Sequence, residues 1–177
     1  MTSQGSPRRA QSQAIDARDA VREFHAAVVQ PDMALVVFFC SSDFDLDALA
    51  EEMHRLFSGV QVVGCTTAGE IGPEGYLEHS LSGVSLPGRT FTVASACLDH
   101  LQQFTMTAGQ GFAKNVLHAL ENRAPNMHVD QSFALLLIDG LSVREEQVTR
   151  ALQSALGKIP LIGGSAGDSV DFCCTHV

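Results

Sequence analysis

The sequence predicts an α/β fold: a mixed sheet with two pseudo-repeated β-α-β units and an inserted β-hairpin, helices lying on the sheet faces. Three observations carry this. Continuous apolar runs alternate with amphipathic stretches at helical spacing. Apolar residues make up 45% of the 177 and charged residues 18%, enough to bury a core and too apolar for a disordered chain. A strand–helix–strand pattern ending in an Ala-Gly-acid turn occurs twice.

Residues 1–13 (MTSQGSPRRAQSQ) read as a disordered tail and 14–177 as the folded domain. Ala14, Ala17, Val21, Phe24 and Val28 recur at helical spacing, stopped near Pro31. Leu35 to Phe39 is an unbroken apolar run, which suits a strand buried on both faces. Ser42, Asp43 and Asp45 offer N-caps for a helix carrying Leu46, Leu49, Met53 and Phe57 on one face, ended by Gly59. Val60 to Val63 is the next strand, and the pair is expected to be parallel. CTTAGEIGPEGY follows as a turn-rich stretch. Leu81 to Leu86 and Thr90 to Leu98 read as a hairpin around Pro87-Gly88, with Cys97 in its core, and Phe112 to Leu120 as a third helix.

The first pattern then returns. Leu135 to Ile138 corresponds to the strand at Leu35, Ser142 to Ser42, Gly163 to Gly64, and Ala166-Gly167-Asp168 to Ala68-Gly69-Glu70. Ser142-x-x-Glu145 reads as a capping box. A duplication predicts that Leu35–Phe39 and Leu135–Ile138 are both central strands.

Charge narrows function. Twenty acidic residues against eleven Lys plus Arg give a net charge of −9, with no Trp and one Tyr, which opposes binding to nucleic acid or to anionic lipid. No apolar stretch approaches the about 20 residues of a membrane span. The N-terminus has no apolar signal core, so the expected location is the cytoplasm. Five cysteines at irregular spacing match neither a zinc nor a disulfide framework, and Cys173-Cys174 read as unbridged.

The chemistry-bearing stretches are the two Gly/Thr/Ser-rich turns, each expected just past a parallel strand, where open α/β sheets bind ligands. Cys65, Thr66, Thr67, Gly69 and Glu70 form the first; Gly163, Gly164, Ser165, Gly167 and Asp168 form the second. Glycines let a ligand approach the main chain, neighbouring amides hold an anion, and Glu70 and Asp168 suit a cation, so the pair fits a zwitterion such as an amino acid. The plain alternative is a pair of tight turns whose hydroxyls satisfy the backbone. There is no P-loop, no GxGxxG after the first strand and no GxSxG elbow. Cys40 and Cys65 follow adjacent strands and offer a redox or metal-thiolate pair, against the plainer role of small buried hydrophobes. Seven histidines show no metal spacing, although one axial histidine for haem needs none.

At these turns the sequence resembles the N-terminal part of the FIST sensory domain: VVGCTTAGEI at Val62–Ile71, LLLIDGL at Leu135–Leu141 and IPLIGGSAGD at Ile159–Asp168. The resemblance runs from about Met33 to Val177. It implies a non-catalytic, ligand-sensing module of bacterial signal transduction, with amino-acid-like ligands, whose output partner is a histidine kinase or diguanylate cyclase. One branch implies instead a haem-based nitric oxide sensor regulating a histidine kinase; no motif here assigns the haem ligand. FIST proteins continue past this motif, whereas this chain ends nine residues after Asp168. The chain therefore reads as truncated before a C-terminal half, with Val170–Val177 an uncovered strand expected either to pair two copies or to stay poorly ordered. Three rivals remain on the residues alone: the haem sensor, a Cys65- or Ser165-dependent enzyme, and an interaction module with purely structural turns.

Overall fold

The structure, a computed structural model, describes residues 5–168 and 175–177. The described chain divides into two compact units, Met1–Phe91 with Ala166–Val177, and Thr92–Ser165.

The first unit holds a four-stranded mixed sheet in the order β1-β6-β2-β3. These strands are β1 (Arg8–Ser12), β6 (Leu81–Pro87), β2 (Met33–Ser41) and β3 (Gln61–Thr67). β2 and β3 are parallel, and β6 runs antiparallel to both β1 and β2. The parallel pair needs a crossover, supplied by α2 (Leu46–Leu56), whose N-terminus is capped by the Asp45 carboxylate accepting from the Ala48 amide at 3.0 Å. Helix α1 (Ala17–Val28) is capped by Asp16 in the same way. Both helices bury their apolar stripes against the sheet face that carries Val36 and Cys40, and Phe24 meets Phe57 at 6.0 Å between ring centres. Both helices of this unit thus lie on one face of its sheet.

Arg8–Ser12 corrects the reading of a disordered tail. Ala10 and Ser12 are buried, and the strand hydrogen-bonds along the edge of β6, which would otherwise stand open. The inserted hairpin at Leu81–Leu98 is corrected too. β6 already has β2 on one edge and β1 on the other, so no edge remains for a strand at Thr90–Leu98. Residues 91–100 have no regular structure, and Cys97 is exposed rather than core. The hairpin that does form lies in the turn-rich stretch: β4 (Glu70–Gly72) with β5 (Gly75–Leu77), Ile71 opposite Tyr76.

The second unit contains α3 (Met106–Arg123), β7 (Ala134–Asp139), α4 (Glu145–Leu156) and β8 (Leu161–Ala166). β7 and β8 form a two-stranded sheet, with Ile138 packed among Ala113, Val148 and Leu152 of the helices. The strand–helix–strand connectivity of the first unit is repeated. β2 is a central strand as duplication predicts; β7 is not, since it has one partner among the described residues. The expected capping box is also absent. Val143 takes a left-handed conformation, φ 53°, which sets Ser142 two residues ahead of the helix cap at Arg144. The Ser142 hydroxyl donates instead to the Asp139 carbonyl at 2.6 Å. Residues 170–174, in the expected C-terminal pairing strand and including Cys173 and Cys174, lie outside the described residues. Among the described residues no helix is long and apolar enough to cross a membrane.

Candidate functional site

The first Gly/Thr-rich stretch is a strand before it is a turn. β3 continues in register beside β2 as far as Thr67, so Cys65, Thr66 and Thr67 are ladder residues and only Ala68-Gly69 turn the chain. Gly64 stands opposite Phe38, and a Cβ there would come within 2.4 Å of the phenyl ring, so the glycine makes room for Phe38. Thr66 is 1% exposed, and three bonds converge on it. Its amide donates to the His176 carbonyl at 3.0 Å, its carbonyl accepts from the Gly167 amide at 3.0 Å, and its hydroxyl accepts from the His176 amide at 3.2 Å. Gly167 and His176 thereby tie the C-terminal segment to the edge strand.

Glu70 is 1% exposed, and its carboxylate is saturated from within the fold. Oε1 accepts from the Thr67 hydroxyl at 2.7 Å; Oε2 accepts from the Ser80 hydroxyl at 2.6 Å and from its amide at 3.1 Å. A buried carboxylate so satisfied is a strut that joins β3, β4 and the start of β6. Asp168 is likewise buried. Ser80 had no signal in the sequence: a serine before an apolar run looks like any loop residue.

Cys40 and Cys65 follow adjacent strands as expected, but they do not form a pair. Cys40 is level with Thr66 and Cys65 with Phe39, and successive residues alternate faces, so the two thiols sit on opposite sides of the sheet. Burial pushes the Cys65 thiol up to about 11 and the Cys40 thiol up to about 12, the latter helped by the nearby Glu70 charge. Both stay protonated at neutral pH, the wrong state for nucleophilic attack or for binding a metal. Among the described residues no group of three His, Cys, Asp or Glu side chains gathers as a metal site.

The second stretch has a different character. β8 includes Gly163, Gly164 and Ser165. A Cβ on Gly163 would lie 1.9 Å from the Leu136 carbonyl oxygen, so only glycine lets β8 run this close to β7. Gly164 is exposed, and a Cβ there would meet nothing within 4 Å. Ser165 is exposed, and its hydroxyl faces Glu145 Oε1 at 3.4 Å, in the first turn of α4. The ten expected site residues therefore separate: Cys65, Thr66, Thr67, Gly69, Glu70, Gly167 and Asp168 belong to the first unit, Gly163, Gly164 and Ser165 to the second. A concavity on α4 is lined by Glu145, Glu146, Thr149, Arg150, Gln153 and Ser154. It contains no histidine, so it offers no axial ligand to a haem.

Comparison with known families matches residues 34–177 to the FIST N domain. No curated protein and no solved structure matches the chain. FIST is a family of sensory domains, and the match spans both strand–helix–strand units just described. On that extent the chain belongs to the FIST N domain family.

Proposed function

We propose that the chain is a ligand-sensing module whose small-molecule contact lies on β8, at Gly164 and Ser165, with Glu145 beside them. The observation that carries this is Gly164. Gly64 and Gly163, the other glycines of the two strands, each have a steric reason to be glycine; Gly164 has none, since open space faces it and its backbone is not left-handed. A glycine that the fold does not require, in an exposed strand, suits close approach of a ligand to the main chain. Glu145 and the Ser165 hydroxyl add an anionic and a neutral polar contact, so an amino-acid-like zwitterion matches the set. The first unit serves as scaffold in this reading, its polar groups being bonded to one another. Occupancy is passed to an output partner such as a histidine kinase or a diguanylate cyclase.

A thermal-shift screen across the amino acids tests this. A ligand at about 100 times its dissociation constant stabilises by about 2.7 kcal/mol. Gly164→Val and Glu145→Gln should abolish the shift while leaving the ligand-free melting temperature unchanged. A Gly164→Val protein that still responds, or that fails to fold, overturns the assignment.

A further inference from the structure

The β4–β5 hairpin is turned the wrong way round for an element that only stabilises the fold. Its inward face carries a buried charge: Glu70 is bonded to Thr67 and Ser80 opposite half-buried Leu77, and Gly72 packs where a Cβ would strike the Gln11 amide at 2.4 Å and the Ser82 hydroxyl at 2.8 Å. Its outward face is apolar. Ile71 is 81% exposed and Tyr76, its cross-strand partner, 59% exposed. A hairpin shaped by the hydrophobic effect alone would bury that pair and leave Glu70 in water.

Two strands of three residues are marginal by themselves. This pair is braced. The Gln11 side chain donates to the carbonyls of Glu70 and Gly75 and accepts from the Glu74 amide, through long bonds of 3.3, 3.5 and 3.4 Å. Tyr76 leans over Gly69, where a Cβ would sit 2.4 Å from its hydroxyl oxygen. Ile71 and Tyr76 are thus held in place before anything binds, which lowers the entropic cost of association. Glu74 and Glu78, both exposed, stand two residues to either side of Tyr76, on a chain of net charge −9.

We infer that the outer face of this hairpin is a docking surface for a protein partner that offers an apolar helix face flanked by Lys or Arg. Charge selects this occupant over a second copy, because an isologous contact would bring Glu74 and Glu78 against their own equivalents. It selects it over an anionic membrane for the same reason. The inference stands apart from the ligand contact proposed on β8.

A fluorescent amphipathic helix of Leu and Lys serves as the probe, read by fluorescence anisotropy against the full chain. Matched peptides with Ser for Leu, and with Glu for Lys, control for charge and for apolarity. The Leu/Lys peptide should bind the full chain more tightly than either control. Ile71→Ser and Tyr76→Ser should each weaken it at least about tenfold, with an unchanged melt. Glu74→Lys should weaken it less and flatten its salt dependence, and Val143→Ser, an exposed apolar residue of the second unit, should leave it unchanged. Equal binding by Ile71→Ser, or equal binding of the Ser/Lys peptide, overturns the inference. So does self-association by light scattering that Ile71→Ser removes, which would make a second copy the occupant.

Discussion

The two strand–helix–strand halves share a pattern and differ in its use. Leu49, Glu52 and Met53 are the buried residues of α2, and Val148, Ala151 and Leu152 those of α4, a constant displacement of 99 residues. Gly64 makes room for the Phe38 ring of β2, and Gly163 for the main chain of β7. Beyond that the halves part. The end of β3 is closed by bonds to Gly167 and His176 and by the Glu70 strut, whereas β8 carries an exposed glycine and serine. A repeated sequence reproduces the local unit; its surroundings decide whether the same turn is scaffold or surface.

The comparison breaks most sharply at its glycines. Gly163→Ala drives a methyl into a main-chain oxygen that cannot rotate away, and should cost about 3 kcal/mol in urea unfolding. Gly64→Ala meets a phenyl ring that can move, and should cost about half as much. Gly164→Ala should stay within about 0.5 kcal/mol. A different order would mean that β8 is not packed against β7 as described.

Next comes the pair of polar contacts at the two strand ends. Glu70→Ala leaves the Thr67 and Ser80 hydroxyls and the Ser80 amide without their acceptor and should cost about 2 kcal/mol, while Ser165→Ala, which removes one long exposed contact, should cost under about 0.5 kcal/mol. Equal losses would erase the distinction between scaffold and surface.

The helices offer a pH test. Hydrogen bonds from Arg55 and then Arg22 hold the Glu52 carboxyl down at about 2, against an ordinary 4.5. A group depressed in the folded state stabilises above its unfolded value and loses that contribution as pH falls through its folded value. The advantage of wild type over Glu52→Gln should therefore be full at pH 6, shrink from about pH 4.5 downward and vanish near pH 2. Ala151 occupies the matching place in α4, so the second unit should lack this acid dependence.

The smallest effect is chemical. At pH 8, iodoacetamide should modify exposed Cys97 at least about tenfold faster than Cys65 or Cys40, read by peptide mass mapping. Rapid labelling of Cys65 would restore the nucleophile reading.

Much was legible from the residues in order. Apolar runs and helical stripes mark β2, α2, β3, α3, β7, α4 and β8, because each of these elements carries its own periodicity. Asp45 is a cap on local grounds alone. Where reading failed, the cause was distant. Arg8–Ser12 has no strand signature, and it is ordered because β6 has an edge to cover. Thr90–Leu98 alternates like a strand and stays irregular because both edges of β6 are taken. Cys40 and Cys65 share a strand end in sequence and lie on opposite faces through a one-residue difference in register.

The sequence by itself determined the repeated units, the positions of the motif glycines and the family, all of which rest on local pattern and residue order. Only the tertiary structure decided which glycine faces a carbonyl and which faces open space, that Glu70 is a strut satisfied by Ser80, and that Ile71 and Tyr76 point outward. Those outcomes depend on which groups meet across long stretches of chain, and burial and hydrogen-bond satisfaction are properties of that meeting rather than of any one residue.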